Sequence, residues 1–151
     1  MPLRRPAVTI EHRRLADAET TVLFRPVGPT ELALIADAGF RSFPPRLAQQ
    51  PIFYPVLNEQ YARQIARDWN ATKSETGYRG FVTRFAVLAE FLAEFETRTV
   101  GARHHQELWI PAGRLDELNG SLVGRIEVIA AYHGGRGGEP TEVPPDLLDY
   151  R

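Results

Sequence analysis

The sequence predicts an α+β domain with a mainly antiparallel sheet and short flanking helices, and three observations predict it. Segments 20–26, 78–87, 107–111 and 124–132 are short, rich in β-branched and aromatic residues, and bounded by Gly, Pro or Asn. Segments 29–39 and 58–70 instead repeat their apolar residues every three to four positions. The links between the later strands are too short for parallel crossovers, which need a dozen residues or more. At 151 residues and 43% hydrophobic content the chain is long enough to bury a core of its own.

Taken in order, residues 1–18 are polar and charged without periodicity and read as a loosely ordered N-terminal segment. "TTVLFRP" (20–26) is a strand ended by Pro26 and Gly28, and "PTELALIADAG" (29–39) a helix with Thr30 as N-cap and Gly39 as its stop. "FRSFPPRLAQQP" (40–51) holds Pro44, Pro45 and Pro51 and must be a loop, packed down through Phe40 and Phe43. "IFYPV" (52–56) is a short strand. Asn58 then caps a helix whose Tyr61, Ile65 and Trp69 fall on one face. After a polar turn (71–77), "YRGFVTRFAV" (78–87) is a strand with Phe81, Thr83, Phe85 and Val87 on one face. "LAEFLAEFE" (88–96) is a helical turn or short helix, and "RTV" and "ELWIP" are strands around "GARHHQ". Pro111 opens a short helix carrying Leu115 and Leu118, and 124–132 is the last strand. The domain is thus expected over 19–133. The Gly/Pro-rich stretch 134–151 reads as a flexible tail, and "HGGRGGEP" as a linker rather than a phosphate cradle.

Net charge is −1, so no overall field attracts nucleic acid; the pairs Arg4-Arg5 and Arg13-Arg14 could form a basic arm, though a solvated segment is the plainer reading. The absence of cysteine excludes disulfides, thiolate metal sites and a thiol nucleophile. No apolar run approaches the ~18 residues of a membrane span. The N-terminus lacks the features of an export signal, and a cytoplasmic location is the expectation. P-loop, GxGxxG and GxSxG motifs are missing.

"RHHQELWIP" (103–111) holds the most chemistry. Adjacent histidines on a strand point to opposite faces and share an ion poorly, and no HExxH or comparable spacing accompanies His104 and His105, so no metal is expected. Glu107, starting an apolar run, is placed to be held rigidly at the edge of a cleft; its plainer reading is a strand-end carboxylate in solvent.

The order "VLFRPVGPTEL", "IFYPVLNEQYARQIA", "HHQELWIP" resembles the ADP-ribosyltransferase fold, in which a split sheet holds NAD. The span from Thr21 to Tyr132, through "RPVGPTEL", "FPPRL", "QPIFYPVLNE", "IARDWN", "FVTRF", "ELWIPA" and "IEVIA", is more closely similar to small bacterial ADP-ribosyltransferase-like proteins of the "ADP-ribosylation/crystallin" type. The resemblance implies an NAD-dependent ADP-ribosyltransferase or NAD glycohydrolase, with NAD as substrate and Glu107 as the catalytic carboxylate. It places Arg25 and Pro26 on the strand that meets the dinucleotide. Tyr54 or Phe53 would stack on the nicotinamide; since strand neighbours face opposite ways, only one can do so, and Tyr54 is favoured. Arg84 is a second candidate phosphate contact and His105 a proton-handling or acceptor-side group. Two departures stand out: Tyr54-Pro55-Val56 replaces the Ser-Thr-Ser of arginine-modifying members, and His105 occupies the place of their acceptor-engaging Gln or Glu. A binding module without turnover and an RNA-linked activity on the same fold are the alternatives. The acceptor is open between protein, nucleic acid and a small molecule.

Overall fold

Leu23, Val27, Phe81, Phe85 and Val87, drawn from two adjacent strands, lie on one face of a twisted sheet and start the main core. The computed structural model describes residues 18–135 and 138–151. The N-terminal segment expected over 1–18, with its arginine pairs and His12, lies outside the described residues apart from Ala18.

The fold is α+β with a mainly antiparallel sheet and short helices. Strand β1 (Thr20–Val27) leads into helix α1 (Pro29–Asp37). After the proline-rich loop come β2 (Ile52–Phe53) and helix α2 (Glu59–Asp68). Next are β3 (Arg79–Leu88), the single-turn helix α3 (Ala89–Leu92), β4 (Thr97–Thr99), β5 (Gln106–Leu108) and β6 (Ile110–Pro111). Helix α4 (Leu115–Gly120), β7 (Leu122–Gly135) and β8 (Gly138–Val143) complete it. The main sheet has the order β1-β3-β7-β8, while β2 pairs with β6 and β4 with β5, all antiparallel. Among the described residues no helix is long and apolar enough to cross a membrane.

The two small strand pairs meet the main sheet through Val56, which bridges Phe24 of β1 on one side and Glu107 of β5 on the other. Phe24 and Val56 exchange both backbone hydrogen bonds, at 3.0 and 2.8 Å. In an antiparallel ladder the residue two further along points its N–H to the same edge. That residue is Pro26, which has no N–H to donate, and no further bridge forms between β1 and segment 52–57. The two sheets part there, and a cleft begins.

Two of the expected elements come out differently. Helix α1 begins at Pro29 with Gly28 as its N-cap and no side-chain cap, so Thr30 falls inside the first turn rather than before it. Proline at the first helical position already supplies the required φ. The tail is not a loose linker: β8 adds to β7, Leu148 and Tyr150 pack on the core, and Arg151 pairs with Asp37 at 2.8 Å. Its Gly/Pro content marks a hairpin and an edge strand, which sequence composition does not separate from disorder. The 40–51 loop is packed as expected. The Phe43 ring sits 5.0 Å from Phe53 and 4.8 Å from Phe85, and Asn119 bonds both its N–H and its carbonyl. The loop begins at two left-handed residues, Gly39 (φ 69°) and Phe40 (φ 60°).

Helix α2 covers the opposite sheet face and builds a second core with Val82, Ala130 and Tyr132. Its buried residues are Tyr61, Ala62 and Ala66, so the helix lies close to the sheet. The approach requires Gly80: a Cβ there would stand 2.4 Å from the Ala66 carbonyl oxygen. Gly80→Ala is expected to cost about 1–3 kcal/mol by overpacking and to lower Tm by roughly 3–10 °C. Gly113→Ala, with no neighbour within 4 Å, should leave the thermal melt nearly unchanged.

Candidate functional site

The cleft at the sheet split encloses about 570 Å³, a volume in the range of small-molecule sites. Arg25, Pro26 and Glu31 come from β1 and the start of α1, Arg46 from the proline-rich loop, Tyr54 from the strand segment beyond the split, and Glu107 and Trp109 from the β5–β6 run. Arg25, Tyr54 and Glu107, more than 80 positions apart at the extremes, therefore share one cavity.

Glu107 is held from two sides. The Trp109 indole N–H donates to Oε1 at 2.7 Å and the Tyr61 hydroxyl to Oε2 at 3.2 Å. Alternation along the strand puts Glu107 and Trp109 on the same side, which makes the first contact local. The second depends on α2, which starts at its Asn58 cap; the Asn58 side chain accepts from the Tyr61 N–H at 2.7 Å and donates to the His104 carbonyl. One capping residue thus ties the helix start to the turn that precedes Glu107.

The cationic side is less open than the sequence suggests. Arg25 is buried and forms a two-pronged pair with Glu31, Nε to Oε2 at 2.7 Å and Nη2 to Oε1 at 2.9 Å. Its guanidinium also lies 4.4 Å from the centre of the Phe53 ring, and Nη1 reaches the Tyr54 carbonyl at 3.5 Å. Arg25 thus lines the cleft while its fork is taken up by Glu31. Arg46 stands beside this pair, its Nη1 3.9 Å from Glu31. Burial first, and then the neighbouring Arg25 charge, hold its pKa below the ordinary arginine value.

Tyr54 and Trp109 meet edge to face at 5.8 Å and are both partly exposed, as is Trp69 at the end of α2. Trp69 departs from the expected apolar face: it turns out from the helix end, with the Lys73 ammonium 3.5 Å from the centre of its ring. Planar ligands can stack on such surfaces.

Other candidates lie elsewhere. Phe53 is core, 1% exposed, because its side chain points away from Tyr54 into the main cluster. Arg84 is not at the cleft; it pairs with Glu127 of the neighbouring strand β7 at 2.9 Å, with both side chains exposed. His105 does not line the cavity either. It stacks on Tyr61 at 4.3 Å, with Nδ1 3.0 Å from the Val100 carbonyl and Nε2 3.2 Å from Gln64 Oε1. The two histidines lie in a turn rather than a strand, so both reach Gln64 instead of facing apart. No group of three or more metal-ligating side chains occurs among the described residues. Sequence reasoning missed Arg46, Tyr61 and Trp109. Only Trp109 carried a local signal, its two-residue spacing from Glu107.

The Tyr61–Glu107 contact has a titration signature. Burial first, and then Glu107, raise the Tyr61 pKa above 10.0. The folded state therefore favours the protonated phenol, and the stability this contributes is intact below pH 10.0 and lost as pH rises above it. In Glu107→Gln the Tyr61 pKa should fall but stay above the ordinary tyrosine value, since burial is the larger cause. An NMR titration of ring-labelled tyrosine would read it, and an unchanged pKa would show that the two groups do not interact in solution.

No protein-family model, curated protein or solved structure matches this chain.

Proposed function

We propose that the cleft binds NAD and cleaves its nicotinamide–ribose bond, as an ADP-ribosyltransferase or NAD glycohydrolase. The single observation that carries the reading is the fixed carboxylate of Glu107 in a cavity that also holds two guanidinium groups and exposed aromatic rings. Breaking this bond builds positive charge on the ribose, as in glycoside hydrolysis. The pyridinium leaves without needing a strong acid, so the chief demand on the protein is a preorganised negative group beside the sugar. Glu107 meets that demand, with Tyr61 and Trp109 as positioning residues. In arginine-modifying members of the resembled family that orientation comes from a Ser-Thr-Ser strand. Here the corresponding Tyr54-Pro55-Val56 offers no such hydroxyls, and donors from α2 and from the glutamate's own strand take over the task.

Tyr54 supplies the aromatic face for the cationic nicotinamide, and Phe53, being core, does not. The resemblance to the split-sheet transferases agrees with the parting of the two sheets at Pro26. Nothing about the cavity favours one acceptor, and water suffices for the glycohydrolase form. A binding module without turnover draws its own support from the occupied state of Arg25, whose fork is already filled by Glu31.

Nicotinamide release from NAD by the purified protein is the direct test. Glu107→Gln is expected to reduce it by about 100-fold or more, the scale of losing one preorganised electrostatic group worth ~3–4 kcal/mol. Tyr61→Phe should lower turnover by about tenfold with little change in KM, the signature of a positioning residue. Equal silence of wild type and Glu107→Gln, with binding of NAD retained, would establish the binding module instead.

A further inference from the structure

Among the described residues, two buried side-chain atoms lack a hydrogen-bond partner, Arg46 Nε and Asn70 Oδ1. Both residues line the cleft at the sheet split. Buried polar groups are nearly always satisfied, and an unpaired one costs about 1–3 kcal/mol, more when charged. The atoms themselves are closed off, but both side chains are partly exposed in the lining of one cavity, and together they point to a ligand that reorients and completes them.

The charge balance says what kind. Arg25 and Arg46 share a single carboxylate, and Glu31 gives its two-pronged contact to Arg25. Arg46, with only 12% of its side chain exposed, is left with a long contact to an oxygen already engaged. Glu107, the other carboxylate of the cavity, has each oxygen bonded by Tyr61 or Trp109. Those neutral donors leave its charge in place, but it pairs with neither arginine, so beside Glu31 one guanidinium lacks a carboxylate of its own. A phosphate oxygen would pair with that guanidinium, as guanidinium groups bind phosphate strongly. Asn70, carried at the end of α2 beside Trp69, would meet a hydroxyl or amine of the same molecule.

We infer that Arg46, not Arg25, is the phosphate-binding residue of this cleft, and that its ligand is a nucleoside diphosphate whose nucleoside portion reaches Asn70. Arg25 serves as the structural partner of Glu31 and of the Tyr54 carbonyl. The inference deepens the reading of the cavity as a dinucleotide site and rests on that reading for the nucleoside portion; the need for an anion stands on Arg46 and its neighbours.

The test is calorimetric titration of the full chain with ADP, inorganic pyrophosphate and adenosine. Wild type is expected to bind ADP best and pyrophosphate more weakly. Arg46→Gln should lose about 10- to 150-fold in affinity for both phosphates, the range of a charged hydrogen bond, and bind adenosine as before. Its melting temperature without ligand should be equal or higher, because an incompletely paired buried charge has been removed. Should the glutamine variant not fold, Arg46→Lys keeps the charge without the planar fork and is expected to bind both phosphates at least threefold more weakly than wild type. Unchanged ADP affinity in the variant that folds, or no phosphate binding by wild type, would overturn the inference, as would an equal loss for adenosine. Failure of the enzymatic proposal is distinguishable: a protein that releases no nicotinamide yet binds ADP through Arg46 loses only the chemistry. An active enzyme whose Arg46→Gln variant keeps its KM for NAD loses only this assignment.

Discussion

The missing N–H of Pro26 is the constraint on which the rest of the structure turns. Phe24 and Val56 form a complete antiparallel pair, and the ladder could extend to Pro26 and Tyr54 only if residue 26 had a proton to give. Proline ends it. The Tyr54 carbonyl takes the Arg25 guanidinium instead, at a long 3.5 Å, so a side chain stands where a strand hydrogen bond would have closed the gap. Segment 52–57 then runs away from β1 while remaining paired with the β5–β6 run: Leu57 N–H bonds Gln106, Leu108 N–H bonds Pro55, and β2 pairs with β6.

The position of Glu107 follows from a second close approach, on the other side of the sheet. Ala62 and Ala66 present small side chains and Gly80 none, so α2 rests nearly against the backbone of β3. A similar contact occurs where Gly134 of β7 meets the Ala71 carbonyl. This depth sets the height of Tyr61, one turn earlier in the helix, and hence whether its hydroxyl reaches the carboxylate. His105 stacked behind Tyr61 and Asn58 capping the same turn hold that ring from further directions. A site residue on a three-residue strand is thus fixed by a helix, a cap and a glycine, all of them in other elements.

This explains which parts were legible in the sequence. Period-two and period-3.6 patterns identified β1, β3, β7 and both larger helices, because burial of one face is written directly into residue order. The Asn58 cap was legible for the same local reason. Strand alternation also separated Tyr54 from Phe53. What local patterns could not show were contacts set by tertiary packing. Arg46 lies in a loop whose prolines announce only irregularity, and nothing nearby marks it as a neighbour of Glu31. Tyr61 reads as one apolar residue among several on a helix face, while the group it bonds is 46 positions away. Arg84 occupies a strand position as polar as any cleft candidate, and only the register with β7 reveals Glu127 as its partner. The glycines and prolines of the tail suggested a chain without order, although β8 finds its partner by extending an existing sheet.

Where the polar groups are unsatisfied carries the last step. Two arginines away from the cleft have several partners close at hand: Arg63 bonds Glu59, Glu142 and the Tyr132 hydroxyl, and Arg114 joins Glu94 to Glu117. Those pairs are partly or largely exposed and contribute little individually. The Arg25–Glu31–Arg46 trio is different because it is enclosed, and there an excess charge is expensive. An apolar residue at 46 would fill the same space without an incompletely paired charge and leave the Arg25–Glu31 pair intact. A cavity in which Arg46 has only a share of Glu31, and in which Asn70 Oδ1 is unpaired, would gain stability from an anion bound beside Arg46. The same enclosure that makes the empty arrangement costly strengthens each hydrogen bond to a ligand, since the local dielectric is low. Affinity and instability at this cleft therefore have one origin.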